Sequence, residues 1–282
     1  MSDQVTGPMR IGQTATPTDR ERLRQYFLNQ STEDQLQRWN ELWQMNYTPW
    51  DRAGPSPALT DTLKERRDLL PAPLIDSQRR RKVLVPGCGA GYDVLLFASS
   101  GYDVYGLETS EEAIKKCKES SERADQDYPV WDSQIGRGMV NWILGDFFKD
   151  EWAKDANGQS LQFDIIYDYT FLSALPPSLR PAWALRLSQL LGPGHATLIC
   201  LEFPTYKEPS TGGPPWGLPP EVYLQHLSRP GEDIPYDESG YVVEQAPAED
   251  NEKALKRIAH WKAERTHQVG QGTDNVSIWR HR

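Results

Sequence analysis

Three alternate glycines carry the first chemical suggestion in this sequence. Val83-Leu84-Val85-Pro86-Gly87-Cys88-Gly89-Ala90-Gly91-Tyr92-Asp93 reads as an apolar strand running into a glycine turn and then a helix. Glycine suits that place because the chain must bend sharply and let a ligand approach the backbone with no Cβ in the way. A plain tight strand–helix turn uses the same residues, so the neighbours must decide. Glu108 closes the next strand about twenty residues on, where a carboxylate can accept from both hydroxyls of a ribose. Tyr92 stands where a dinucleotide fingerprint has its third small residue, and its bulk opposes the close helix–strand packing such a fingerprint needs. A nicotinamide dinucleotide is therefore disfavoured. A ribose-bearing ligand without a pyrophosphate fits better, and S-adenosylmethionine is the common one.

Further polar residues fall at strand ends. Gly145-Asp146-Phe147-Phe148 follows the third expected strand, where an acid can hydrogen-bond an adenine amino group and an aromatic ring can cover the base. Asp168 and Tyr169 end the fourth strand and Glu202 the fifth, and open α/β sheets bind ligands at that edge. Tyr169 is expected to line the site of transfer, with Asp168 and Glu202 as secondary candidates. Trp39 and Trp43 stand at i and i+4, so their rings stack along one helix face, and Trp50 follows in a loop. Such a stripe packs a core or forms an aromatic wall over a cation. Against a sulfonium the wall would contribute roughly 0.5–2 kcal/mol and keep water out.

Methyl transfer from a sulfonium is an in-line displacement in which positioning supplies most of the rate. A thiol of pKa about 8.5 ionises in part near neutrality, so no strong general base is required. None of the five histidines stands in a recognisable catalytic setting. Cys88, beside the glycines, reads as a packing residue rather than a nucleophile, and no metal-ligand spacing is present.

The elements that must position these groups follow an α/β pattern. Residues 1–18 read as a flexible tail and 19–75 as a helical cover, with helices expected over 19–29, from Ser31 to about Thr48, and over 56–70. Residues 76–282 form the α/β core of a single domain that runs from 19 to 282. Strands are expected at 82–86, 103–107, 140–144, 163–167 and 195–201, alternating with helices at 92–100, 110–123 and 178–191. Weaker strands at 241–245 and 276–279, flanking a charged helix near 252–264, suit an antiparallel edge pair. Strands separated by helices imply right-handed crossovers and a mostly parallel sheet with helices on both faces. The segment 125–139 reads as an insertion, and Gly212-Gly213-Pro214-Pro215-Trp216 as either a simple connection or, the preferred reading, a lid over the acceptor.

Composition narrows the partners. The 282 residues include 31 basic and 40 acidic side chains, a net charge of −9 that repels a phosphate backbone. The basic run Arg79-Arg80-Arg81-Lys82 reads as a solvated strand entry. No apolar run approaches the roughly 20 residues that cross a bilayer. Three scattered cysteines suggest a reducing compartment, the cytoplasm. The expected partner is a small-molecule acceptor, with no nucleic acid and no membrane, and the chain is expected to be a monomer.

Seven strings in this order resemble the thiopurine S-methyltransferase superfamily: Trp39-x-x-x-Trp43, Thr48-Pro49-Trp50-Asp51, Leu84-Val85-Pro86-Gly87-Cys88-Gly89, Gly145-Asp146-Phe147-Phe148, Asp168-Tyr169-Thr170-Phe171, Phe203-Pro204 and Gly212-Gly213-Pro214-Pro215. Thr-Pro-Trp-Asp and Asp-Tyr-Thr-Phe are most similar to its halide/thiol methyltransferase branch. The resemblance implies a class I (Rossmann-like) methyltransferase fold with a seven-stranded, mostly parallel sheet. It implies transfer of the methyl of S-adenosylmethionine to a thiol, hydrosulfide or halide, with an N- or O-methyltransferase of a small metabolite as the alternative and a non-catalytic cofactor-binding protein after that. It also implies that Trp39, Trp43, Trp50, Gly87, Glu108, Asp146, Phe147 and Tyr169 contact the cofactor. The branch usually has Asp at the place of Glu108 and Phe-Cys at that of Leu172-Ser173.

Overall fold

Residues 15–77, 79–155, 157–245 and 251–282 are described by the computed structural model. Along the chain, α1 (Pro17–Phe27), α2 (Thr32–Gln44) and α3 (Pro57–Glu65) precede β1 (Lys82–Pro86). Then follow α4 (Tyr92–Ser99), β2 (Asp103–Glu108), α5 (Glu111–Ser121), the single turn α6 (Ala124–Asp127), β3 (Val140–Leu144) and β4 (Ile165–Tyr169). The chain continues through α7 (Phe171–Ala174), α8 (Arg180–Leu190), β5 (Thr197–Glu202), α9 (Pro220–Ser228), β6 (Leu255–Lys262) and β7 (Asn275–His281).

The strands form one sheet of order β3-β2-β1-β4-β5-β7-β6. The first five run parallel, and β7 lies antiparallel between β5 and β6. Side chains split between two cores with the period of two that a strand buried on both faces must show. Val83, Val85, Ile165, Tyr167 and Ile199 join one core, where α3 and α4 add Leu59, Leu63, Val94 and Phe97. Leu84, Ile166, Leu198 and Cys200 join the other, where α8 and α9 add Trp183, Leu187, Val222 and Leu227. The seven-stranded, mostly parallel α/β sheet expected from the sequence is therefore present.

Helix starts follow the capping residues. The Thr16 side chain accepts from Asp19 N–H while the Asp19 carboxylate accepts from Thr16 N–H, so α1 begins at Pro17, inside the segment read as tail. Residues 1–14 of that tail lie outside the described residues. The Ser56 hydroxyl caps α3, with Pro57 in the first turn, and α3 stops at Glu65 rather than near residue 70.

The late segment corrects the sequence reading. Residues 255–262 form a strand, not a charged helix: burial alternates from Leu255 to Lys262, and the charges line the outer side of an edge strand, where they discourage pairing with another sheet. Residues 241–245 make only an isolated bridge, Val242 to Tyr236. The antiparallel edge pair is β6 with β7. The basic run stays partly solvated, as expected at a strand entry: Arg79 is exposed, while Arg80, Arg81 and Lys82 are half-buried. Arg79 pairs with Asp76 and Arg81 with Asp164, each at 2.7 Å. The Arg80 guanidinium donates to Gly101 O at 2.6 Å and to Ile135 O, tying down the segment 125–139.

The sheet reverses its order between β1 and β4, which opens a crevice at the carboxyl ends of these strands. The glycine turn lies in it. Gly87 has φ +58°, and a Cβ there would lie 2.5 Å from Cδ2 of Phe171, the first residue of α7. Gly87→Ala should therefore strain the backbone and displace Phe171, lowering stability by about 1–3 kcal/mol in urea unfolding. An unchanged midpoint would show that this contact does not constrain the turn.

Candidate active site

A cavity of about 690 Å³ fills the crevice and extends beneath α1 and α2. Trp39, Trp43, Trp50, Gly87, Glu108, Asp146, Phe147 and Tyr169 all line it. Residues from α1, α2, four strand ends and the turn before β7 thus meet around one space.

Glu108 is the best-anchored group. It is buried, and its Oε2 accepts from Gly89 N–H at 3.0 Å while Oε1 accepts from the N–H groups of Thr109 at 2.8 Å and Ser110 at 3.3 Å. Burial raises its pKa and the three N–H groups oppose that rise. Gly89 is held on its other side too, since Cys117 Sγ–H of α5 donates to Gly89 O at 3.0 Å. The Cys88 thiol is pushed up by the neighbouring Cys117 and by burial, so it stays protonated and is a packing residue, as the sequence suggested. Beyond β3, Asp146 Oδ1 accepts from Phe148 N–H at 2.9 Å, and the Phe147 ring meets Phe171 edge-on at 5.0 Å.

The indoles do not form a simple stack. Trp50 meets Trp39 at 5.0 Å and Trp43 at 5.7 Å, edge-on to both. Trp43 is 3% exposed and lies over the glycine turn, where a Cβ on Gly89 would come 3.6 Å from its Cζ2. Lys116 Nζ lies 5.2 Å from the Trp43 ring centroid, so a cation is already on that ring. Asp51, from the same Thr-Pro-Trp-Asp string as Trp50, accepts from Tyr92 O–H at 3.1 Å and from Ala53 N–H at 2.8 Å. Tyr92 thus ties the first turn of α4 to the cover.

The far end of the cavity is built around Tyr169. Its hydroxyl is buried with no hydrogen-bond partner among the described residues, and burial pushes its pKa up. His267, from the turn between β6 and β7, stacks on it at 6.1 Å and 11°. Burial and the nearby Arg52 push the His267 pKa down to about 4, so the ring is neutral near pH 7. Thr170, next to Tyr169, has φ +63°, a strained backbone of the kind that collects at functional sites. Pro214 and Pro215 of the expected lid line the cavity, and Trp216 N–H donates to Ser173 O at 2.8 Å, anchoring that segment.

Two secondary candidates lie elsewhere. Asp168 is buried behind β4, accepting from Trp183 Nε1–H at 2.8 Å and Leu172 N–H at 3.2 Å. Glu202 is buried under the edge pair, with Oε2 3.0 Å from His260 Nε2. Neither lines the cavity. The sequence reading missed Arg20, Arg52, Tyr206, Lys207 and His267, which do. Only Arg52 stood beside a motif that could have drawn notice.

This sheet order, glycine turn and buried carboxylate define a class I methyltransferase fold. Solved structures share it: one from work on converting a disulfide bond into a thioacetal group during echinomycin biosynthesis (TM-score 0.51, 17% identity, covering 87% of this chain and 92% of that one). Another is the N-methyltransferase NodS of Bradyrhizobium japonicum in complex with S-adenosyl-L-homocysteine (TM-score 0.50, 15% identity, 88% and 99%). The chain belongs to the thiopurine S-methyltransferase family, whose model matches residues 34–260. It is similar to a probable thiol methyltransferase 2 of Arabidopsis thaliana, 31% identical over 230 residues, covering 81% of this chain and 85% of that protein. Thiocyanate methyltransferase 1 of the same plant is 29% identical over 228 residues (79% and 83%), and a thiopurine S-methyltransferase of Pseudomonas putida 31% over 195 (66% and 80%). The protein is therefore an S-adenosylmethionine-dependent S-methyltransferase acting on a small molecule. The cavity suits that cofactor: a buried carboxylate stands at one end, and the space between Gly89 and Trp43 is one that a Cβ would fill.

Asp93, in the first turn of α4, also lines the cavity. Its Oδ1 accepts from Ser56 N–H at 2.8 Å, and burial pushes its pKa from 3.8 up to about 7. The folded state thus binds this proton more tightly than the unfolded chain. Stability from the protonated group is complete below pH 3.8 and is lost as pH rises towards 7. Asp93→Asn removes that titration while keeping an acceptor for Ser56. In urea unfolding, its advantage over the parent should grow between about pH 4 and 7 and then level off. A pH-independent difference would remove Asp93 as the titrating group.

Proposed function

We propose that the acceptor is a small soft nucleophile, a thiol, hydrosulfide or halide, and that Trp39, Trp43, Trp50, Gly87, Glu108, Asp146, Phe147 and Tyr169 hold the donor. The observation that carries this is the neutral pair at the far end of the cavity. The Tyr169 hydroxyl is held protonated and the His267 ring is held uncharged, so neither is a strong base. An amine or alcohol acceptor needs its proton removed, whereas a thiol of pKa about 8.5 supplies its own thiolate. The names of the Arabidopsis relatives agree with this choice.

When bound, S-adenosylmethionine supplies an electrophilic methyl group on a sulfonium. Glu108 would accept from the ribose hydroxyls, Asp146 would accept from the adenine amino group and Phe147 would cover the base. The three indoles exclude water and turn aromatic surface towards positive charge. Tyr169 lines the transfer site and is the residue proposed as catalytic: its hydroxyl, without a partner among the described residues, would donate a hydrogen bond that orients the acceptor. The rate comes from holding the reacting atoms about 3–3.5 Å apart and dry.

The chain is proposed to work as one domain over residues 19–282, its first helices covering the donor, as a cytoplasmic monomer without nucleic-acid or membrane partners. Three free cysteines, the acidic balance and the pairing of Arg79 and Arg81 with carboxylates support this. Among the described residues, no helix is long and apolar enough to cross a membrane.

A labelled-methyl assay on thiols, iodide, amines and phenols tests the acceptor class; product from thiols or iodide is expected, and product only from amines or phenols would refute it. Trp43→Ala and Glu108→Ala should each weaken S-adenosylmethionine binding by ~1–3 kcal/mol, read by calorimetry. Full affinity in both variants, with folding intact, would place the donor elsewhere.

A further inference from the structure

The cavity has two ends of opposite electrical character. Towards the glycine turn its wall carries Asp93, Glu108 and Asp146 against Lys149, whereas Arg20, Arg24, Arg52 and Lys207 gather with Glu21 and Asp51 near Tyr169 and Tyr206. A cluster of cations is unexpected in a chain of net charge −9 unless something negative comes to it.

The carboxylates near that end are already engaged. Glu21 pairs with Arg24 at 2.6 Å and accepts from Gln25, which removes Arg24 from the count. Asp51 is taken by Tyr92 and by Ala53 N–H. Asp274 accepts from Thr266 at 2.6 Å through Oδ2; its Oδ1 has no partner among the described residues, but Asp274 does not line the cavity. Among the described residues, Arg20, Arg52 and Lys207 form no salt bridge.

Their donors are only partly used. Arg52 donates through Nη1 to Pro49 O at 2.9 Å, while its Nε is buried without a partner. Lys207 Nζ donates to Gly212 O at 2.7 Å and Pro215 O at 2.5 Å, which leaves one of its three hydrogens. The two bonds also hold the ammonium against the lid, aimed at the cavity rather than at open solvent. Phe203, Pro204, Tyr206 and Val269 supply apolar wall between these cations and Tyr169. A bare halide or hydrosulfide could meet the cations but would leave the apolar wall unused.

We propose, on the strength of the methyl-transfer reading above, that the acceptor is a small organic thiol carrying a second, anionic group such as a carboxylate, and that Arg20, Arg52 and Lys207 receive that group. In the reaction the thiol loses its proton to water and its sulfur lone pair forms the new S–C bond. The bond from the methyl carbon to the donor sulfonium breaks, leaving its electron pair on that sulfur as a neutral thioether. The remote carboxylate takes no part in bond making. It fixes which thiol is oriented for attack.

The test compares 3-mercaptopropionate with 3-mercaptopropanamide, alike in size and differing in charge, using the full chain and saturating S-adenosylmethionine. The carboxylate should have a kcat/KM about tenfold or more above the amide, one charge-assisted contact being enough for that ratio. The ratio should fall towards one in Arg20→Gln and in Lys207→Gln, with the KM for S-adenosylmethionine unmoved. Equal use of both thiols by the parent would overturn the proposal while leaving methyl transfer to thiols intact. A rise in the S-adenosylmethionine KM in both variants, with the thiol ratio kept, would also overturn it by assigning the cations to the donor. If neither thiol is methylated, calorimetry on protein loaded with S-adenosylhomocysteine decides. Tighter binding of 3-(methylthio)propionate than of its amide supports the charge assignment although the acceptor class has failed; equal binding rejects both.

Discussion

A buried carboxylate whose hydrogen bonds all come from main-chain N–H groups is the constraint on which the rest of the site depends. Removing a carboxylate from water is costly unless its oxygens are satisfied, and Glu108 meets that demand with Gly89, Thr109 and Ser110. Two of these donors stand at the start of α5, where the helix end favours negative charge, and the third belongs to the glycine turn. One side chain therefore fastens the end of β2, the start of α5 and the turn after β1 into a single rigid corner. Cys117 completes it by donating to the carbonyl of the same Gly89. The corner is dictated by burial and hydrogen bonding, and the donor pocket inherits its shape.

Around that corner the protein arranges groups that hold rather than groups that react. Tyr169 and His267 are kept uncharged by the same burial that removes water from the cavity. A transferase whose electrophile arrives already activated has little need of a base, and a dry, aromatic-walled space serves it better. The strained Thr170 fits this picture, because its conformation sets the angle at which β4 delivers Tyr169 to the cavity.

The parts of the structure with local marks were legible in the sequence. A glycine at positive φ, a carboxylate at a strand end and apolar runs broken by capping residues each leave a signature within a few positions. The sheet and the donor side of the cavity followed from them. Asp168 was misplaced for a reason that strand parity could have supplied: it precedes Tyr169, so if one enters the cavity the other faces the opposite core. Residues 255–262 misled because charges crowd the outer side of an edge strand and mask its alternation. Trp50 slots between two indoles from a loop, and His267, Arg20 and Lys207 reach the site only through tertiary packing. Nothing in their own neighbourhoods announces it.

The antiparallel β7 has a consequence for biosynthesis. Among the described strands it emerges last from the ribosome, yet it is an interior member of the sheet, inserted beside β5. The turn that leads into it delivers His267. Until β7 has been made and has left the exit tunnel, the nascent protein holds the donor corner with an open gap where that strand will dock. The wall that His267 supplies is thus added after the donor corner, and a chain stalled before β7 would display an unpaired β5 edge to its chaperones.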